Sequence, residues 1–256
     1  MANRFDNKVV IVTGGSSGIG KSAAIRFAAE GAKVVVAARR EEQSKDVVDI
    51  IKENGGEATY ILTDVAQEKS IKSMVNETID TYGKLDCAFN NAGIAGDVFV
   101  PTSEHTVENW DAVINVNLKG IWLCMKYQIL EMLKNGKGVI LNNSSIYGLT
   151  GSTVGNAPYV ASKHGVIGLT KTAAIDYAKN GLRVNALCPG YTQSEIVAEG
   201  MEEHPEVFQN FILPLIPTGK IAETDEVVNA ALWLCSDESS CVTGVAFAAD
   251  GGFLAR

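Results

Sequence analysis

Seven short runs of apolar, β-branched residues alternate with helical patterns along the chain, and no other feature of the sequence restricts its fold as strongly. The runs are KVVIVT (8–13), KVVVAA (33–38), ATYILT (58–63), LDCAFN (85–90), GVILNN (138–143), RVNALC (183–188) and GVAFAA (244–249). Their nearly unbroken hydrophobicity predicts strands covered on both faces, as in a parallel sheet. Helical patterns over 18–30, 41–54, 67–82, 104–135, 157–180, 194–212 and 223–236 supply the cover. Right-handed crossovers then give an α/β fold, a doubly wound seven-stranded parallel sheet with helices on both faces. Gly31, Gly55, Gly83, Gly136 and Gly181 fall where successive helices must stop, the usual duty of glycine at a helix C-terminus. This punctuation runs through all 256 residues, so one domain, 1–256, is expected.

Composition removes several classes of function. The chain is 46% hydrophobic and 20% charged, within the range of ordinary globular proteins. Twenty-two basic against thirty acidic side chains leave a net charge of −8, which repels phosphate backbones and anionic membranes. Neither nucleic acid nor membrane is expected as a partner. The opening MANRFDNKVVIVTGG contains no apolar run of signal-peptide length, and no segment reaches transmembrane length, so a cytoplasmic location is expected. Five scattered cysteines without CxxC spacing read as reduced thiols, and His105, His164 and His204 form no pair at metal-ligand spacing. No metal site is expected.

Two motifs carry chemistry. TGGSSGIG, Thr13 to Gly20, follows the first strand and opens the first helix. Glycines there let backbone approach a ligand closely, while free N–H groups at the helix start attract an anion such as pyrophosphate. The second is PYVASKHG, in which Tyr159 and Lys163 stand one helical turn apart on the same face. A cation at that place can bias a phenol toward ionisation.

The spacing Gly14-x3-Gly18-x-Gly20, followed by NNAG (90–93), YVASK (159–163), Pro189–Gly190 and DGG (250–252), resembles the short-chain dehydrogenase/reductase family in its classical form, in the family's order and over essentially the whole chain. The resemblance implies a Rossmann-type fold and hydride transfer between a nicotinamide dinucleotide and a ketone or secondary alcohol. It implies that Gly14, Ser16, Ser17, Gly18 and Ile19 line the phosphates and that Asn91, Ala92 and Gly93 back the adenosine side. Asp64 and Val65 would contact adenine, although Asp64 also suits a helix N-cap. Pro189 and Gly190 would belong to the cofactor site, and Thr192 would contact the nicotinamide amide and the phosphates. Tyr159 becomes the proton donor and acceptor, and Lys163 both tunes it and holds the nicotinamide ribose. Ser145, in SSIYG, would bind the substrate oxygen, and Asn117 would help hold a water behind Lys163.

Where an acidic residue would accept hydrogen bonds from the ribose hydroxyls of NAD, the second strand ends with Ala38 followed by Arg39 and Arg40. NADP(H) is therefore expected in preference to NAD(H), with Arg39 clamping the 2′-phosphate; for Arg40 a clamp and a solvated loop residue weigh about evenly. Residues 191–215 read as a substrate lid, or alternatively as a helix pair at a subunit contact. Pocket candidates also come from Gly93–Pro101, Tyr147 and Gly151–Asn156. The main reading is a carbonyl reductase or alcohol dehydrogenase, assembled as a homotetramer by analogy with the family. A hydroxysteroid or sugar dehydrogenase of the same family is the alternative among enzymes, and a dinucleotide-sensing regulatory protein the alternative outside them. Arg39→Ala is expected to raise KM for NADPH while barely altering that for NADH; steady-state kinetics with both would show it, and equal effects would contradict the clamp.

Overall fold

The computed structural model describes residues 3–255, with the side chain of Ile196 left aside. Residues 1, 2 and 256 of the expected domain lie outside the described residues. Seven strands form: β1 (Val9–Thr13), β2 (Lys33–Ala38), β3 (Glu57–Leu62), β4 (Cys87–Asn90), β5 (Gly138–Asn143), β6 (Leu182–Pro189) and β7 (Ala246–Ala249). They make one sheet in the order β3-β2-β1-β4-β5-β6-β7, and every pairing is parallel.

Side chains alternate across this sheet, which explains why its strands are apolar throughout. Val10 and Val12 of β1, with Val34 and Val36 of β2, point into a core layer shared with α1 (Gly18–Ala29) and α2 (Glu41–Glu53). Ile11, Val35 and Ala37 point the other way, toward α3 (Glu68–Tyr82). Both faces are thus buried, as the continuous hydrophobicity required.

The helix expected over 104–135 begins later, because the Thr106 hydroxyl accepts a hydrogen bond from Asn109 N–H and caps α4 (Val107–Ile114). Between α4 and α5 (Gly120–Lys134) lies a π-helical turn, Asn115–Lys119, of a kind that accumulates at functional sites. Helix α6 (Ala157–Tyr177) carries the tyrosine–lysine pair. The pattern over 194–212 is not one helix. Pro205 supplies no N–H and restricts His204 before it, so α7 (Glu195–Glu203) stops and a short α8 (Pro205–Val207) restarts. A π turn (Phe208–Ile212) and a 3-10 turn (Leu213–Leu215) complete this segment, and α9 (Thr224–Cys235) covers the first core layer.

Gly31, Gly55, Gly83, Gly136 and Gly181 all have positive φ, and Gly83 caps α3 at φ 78°, where a side chain would be strained. Gly20 serves closeness instead. A Cβ there would collide with the Gly14 carbonyl oxygen and stand 2.6 Å from Asn91 Nδ2. Gly20→Ala is accordingly expected to destabilise the fold by about 1–3 kcal/mol. Urea unfolding measures it, and an unchanged midpoint would contradict the close approach.

Candidate active site

The sheet order reverses between β1 and β4, so the loops leaving their C-terminal ends diverge and open a crevice. A cleft of ≈ 440 Å³ lies there. Gly14, Ser16, Ser17, Gly18, Ile19, Arg39, Asp64, Val65, Asn91, Ala92, Gly93, Ser145, Tyr159, Lys163, Pro189, Gly190 and Thr192 all line it. Arg40, Ser194, Glu195 and Val197 line it as well.

Asn117 stands apart. It is fully buried in the π turn, behind the cleft wall. Its Oδ1 accepts from Ile94 N–H at 2.9 Å, while Nδ2 donates to Ile94 O at 2.9 Å and to Ser162 Oγ at 3.3 Å. The side chain is thereby a strut between the β4 loop, α6 and its own helix. A Cβ on Gly93 would lie 3.2 Å from Asn117 Oδ1 and 3.7 Å from Lys163 Nζ, so the amide and the ammonium flank the same glycine.

Hydrogen bonds fix the floor. Thr13 Oγ1 accepts from the N–H groups of Asn91 and Ala92 at 2.9 and 3.1 Å. Asn91 Nδ2 donates back to Thr13 O at 3.1 Å, and Asn143 Nδ2 donates to Asn91 Oδ1 at 2.9 Å. Beneath them Asn90, Gln128, Asn142 and Thr170 form a closed buried network. Sequence reasoning passed over these amides, although the polar endings of LDCAFN and GVILNN were their signal. It also passed over Glu195, whose carboxylate meets Arg40 at 2.9 Å across the cleft mouth.

Asp64 does not cap α3, whose N-cap is Gln67. Its carboxylate instead accepts from Ala66 N–H at 3.0 Å, an Asx turn that shapes the cleft edge.

Ser145 begins a 3-10 turn (Ile146–Gly148), its Oγ accepting from Tyr147 N–H at 3.2 Å. Lys163 is 3% exposed, and its Nζ donates to Asn143 O at 2.7 Å and lies 5.4 Å from the centre of the Tyr159 ring. Ser144 Oγ donates to Lys163 O at 2.9 Å, holding α6 against β5. Burial pushes Lys163 down to about 8 from an ordinary 10.5. It pushes Tyr159 up to about 12, while the Ser145 hydroxyl acts in the opposite direction. Burial therefore governs both groups in the protein by itself.

The cleft suits a dinucleotide. Ser17 caps α1 without a side-chain bond and the first turn holds no acid, so its N–H groups are uncompensated toward an anion. A Cβ on Gly14 would stand 2.9 Å from Ala92 Cα, so the glycine lets the loop after β1 lie directly against the loop after β4. Asn143 Oδ1 is buried without a hydrogen-bond partner, an acceptor left for a bound group. Among the described residues no three His, Cys, Asp or Glu side chains converge to hold a metal.

A family model described as Enoyl-(Acyl carrier protein) reductase matches residues 14–254. The chain is 42% identical over 252 residues to the 2,5-dichloro-2,5-cyclohexadiene-1,4-diol dehydrogenase of Sphingobium indicum, covering 98% of each chain. It is 40% identical over 257 residues to the cyclohexanol dehydrogenase of an Acinetobacter species, covering 100% of this chain and 98% of the other. A crystal structure with bound NADP, assigned as a 2-deoxy-d-gluconate 3-dehydrogenase from Agrobacterium tumefaciens, superposes with a TM-score of 0.89 at 34% identity over 98% of both chains.

The lowered pKa of Lys163 has a consequence for stability. Well below pH 8 the folded protein bears the cost of a buried charge; between 8 and 10.5 it sheds the proton while the unfolded chain keeps it, so wild-type stability gains as pH rises. Lys163→Met lacks this gain. The unfolding free energy of the variant relative to wild type should fall by about 3 kcal/mol from about pH 7 to about pH 11. Parallel stability curves in urea would contradict it.

Proposed function

Because the chain belongs to the short-chain dehydrogenase/reductase family, we propose that it is an NADP(H)-dependent carbonyl reductase or alcohol dehydrogenase acting on cyclic secondary alcohols and their ketones. It is an oxidoreductase of CH–OH groups that uses a nicotinamide dinucleotide. The observation that carries the finer reading is the meeting of Ser145, Tyr159 and Lys163 on the same cleft as the glycine loop. A regulatory protein that merely senses a dinucleotide has no need of that trio.

Bound nicotinamide supplies a hydride equivalent to the carbonyl carbon. The protein must then supply a proton to the oxygen. Tyr159 gives it from its hydroxyl, and Ser145 Oγ donates a hydrogen bond to the same oxygen and stabilises the charge that develops there. Burial holds the phenol near 12, too high to exchange protons readily at neutrality. The Lys163 ammonium, kept by Asn143 O on the ring side of Tyr159, favours the phenolate left behind. The positive charge of the oxidised cofactor adds to that bias. Asn117 acts at one remove, by holding the loop that faces Lys163.

Arg39, facing the cleft without an acidic partner among the described residues, supports the choice of NADP(H). Arg40 is already paired with Glu195, which favours Arg39 as the phosphate clamp and Arg40 as a tie to the lid, residues 191–215. Trp122 and Leu130 on α5 and Ile175 on α6 are exposed apolar residues on helices, and they support association into a homotetramer. No described helix is long and apolar enough to cross a membrane, and all five cysteines are free thiols, which supports a reducing cytoplasmic setting.

The test is a panel of cyclic ketones and alcohols followed by NADPH absorbance, with Tyr159→Phe in parallel. Turnover of cyclic ketones is expected, reduced about 10²- to 10⁴-fold in the variant. Absence of turnover across the panel, or a fully active variant, would refute the reading.

A further inference from the structure

A pair of phenols stands beside the proposed proton donor and takes no part in the steps above. Tyr147 follows Ser145 by two residues, and its N–H is bonded to the Ser145 hydroxyl. Tyr191 lies between Gly190 and Thr192, both of which line the cleft. The hydroxyls of Tyr147 and Tyr191 are 2.7 Å apart, which makes them a hydrogen-bonded dyad. Edge-to-face contacts hold the rings. Tyr147 packs on Phe253 at 6.4 Å and Tyr191 on Phe208 at 5.9 Å between centroids, and Tyr159 itself packs against the same cluster.

A count of hydrogens gives the dyad a capacity beyond packing. Two phenols carry two O–H hydrogens, and the bond between them uses one. The other has no protein acceptor among the described residues. A polar hydrogen in this largely apolar cluster, beside the cleft-lining Gly190, Thr192 and Tyr159, must find water or a ligand oxygen. The pair also keeps spare lone pairs, so it can meet either a carbonyl or a hydroxyl oxygen. Burial pushes Tyr191 far above the ordinary phenol range, and neither ring has a cationic partner among the described residues. That chemistry suits an uncharged oxygen and offers nothing to pair with a carboxylate.

Resting on the proposed function, we infer that the Tyr147–Tyr191 dyad is a specificity element that binds a second, non-reacting oxygen on the substrate's ring. The preferred substrates are then cyclic diketones, hydroxyketones or diols. Ser145 and Tyr159 hold the reacting oxygen, while the dyad holds the other.

The experiment measures kcat/KM for cyclohexane-1,3-dione, cyclohexane-1,4-dione and cyclohexanone with NADPH, in the wild type, Tyr147→Phe, Tyr191→Phe and the double variant. Phenylalanine retains the ring and its packing, and thermal unfolding checks that the variants are folded. The readout is the ratio of the better dione to cyclohexanone. Comparing that ratio between proteins cancels the greater intrinsic reactivity of a diketone, and a purely structural loss lowers both rates together. The ratio should drop about 10- to 100-fold in the double variant, and the single variants show which hydroxyl faces the ligand. Turnover with a ratio unchanged in the double variant would overturn this inference alone. No turnover of any of the three ketones by the wild type, with none elsewhere in the cyclic-ketone panel, would overturn the proposed function and this inference with it.

Discussion

The buried ammonium of Lys163 is the constraint around which the cleft is arranged. A charge that is 3% exposed is costly unless it is hydrogen-bonded, and the carbonyl of Asn143 at the end of β5 supplies that bond. Nζ donates to Asn143 O; the side chain of Asn143 reaches Asn91; Asn91 in turn binds the carbonyl of Thr13 where the glycine loop begins. One chain of hydrogen bonds therefore runs from the Tyr159–Lys163 end of the cleft to its glycine loop. The two ends are held in register by the sheet, not by flexible loops.

Much of this was legible in the sequence because it is periodic. Seven apolar runs became seven strands, and glycine stands just past α1, α2, α3, α5 and α6, since both follow from burial on two faces and from φ values that other residues avoid. The cleft residues were legible through motif order, and the ones named for the cofactor do line the cleft. What escaped was tertiary. The π turn around Asn117 leaves no mark in an apolar pattern, and the amides of Asn90, Gln128 and Asn142 are separated by up to 52 residues before the fold joins them. The break at Pro205 could have been read from the sequence, but helical periodicity on either side concealed it.

In the proposed function, specificity is built from elements at opposite edges of the same crevice. At the adenosine edge, Ala38 replaces an acid and Arg39 faces the cleft, while the Arg40–Glu195 pair ties the end of β2 to α7. At the opposite edge, Phe208 and Ile212 of the segment 191–215 pack with Ile146, Tyr147 and Phe253 in one largely apolar cluster. Phe99, from the loop after β4, stacks edge-on against His204 at 4.7 Å and draws that loop to the lid. Under the proposed function, such an arrangement favours compact, uncharged ring substrates over those bearing long anionic carriers.

The central claim is that Tyr159 exchanges a proton at neutral pH because two positive charges overcome its burial. Phenolate absorbance of the wild type minus that of Tyr159→Phe, titrated with and without oxidised NADP, tests this most directly. The account predicts a value near 12 for the protein alone and a fall of several units when the cofactor is added. A tyrosine that stays near 12 with the cofactor bound would contradict it.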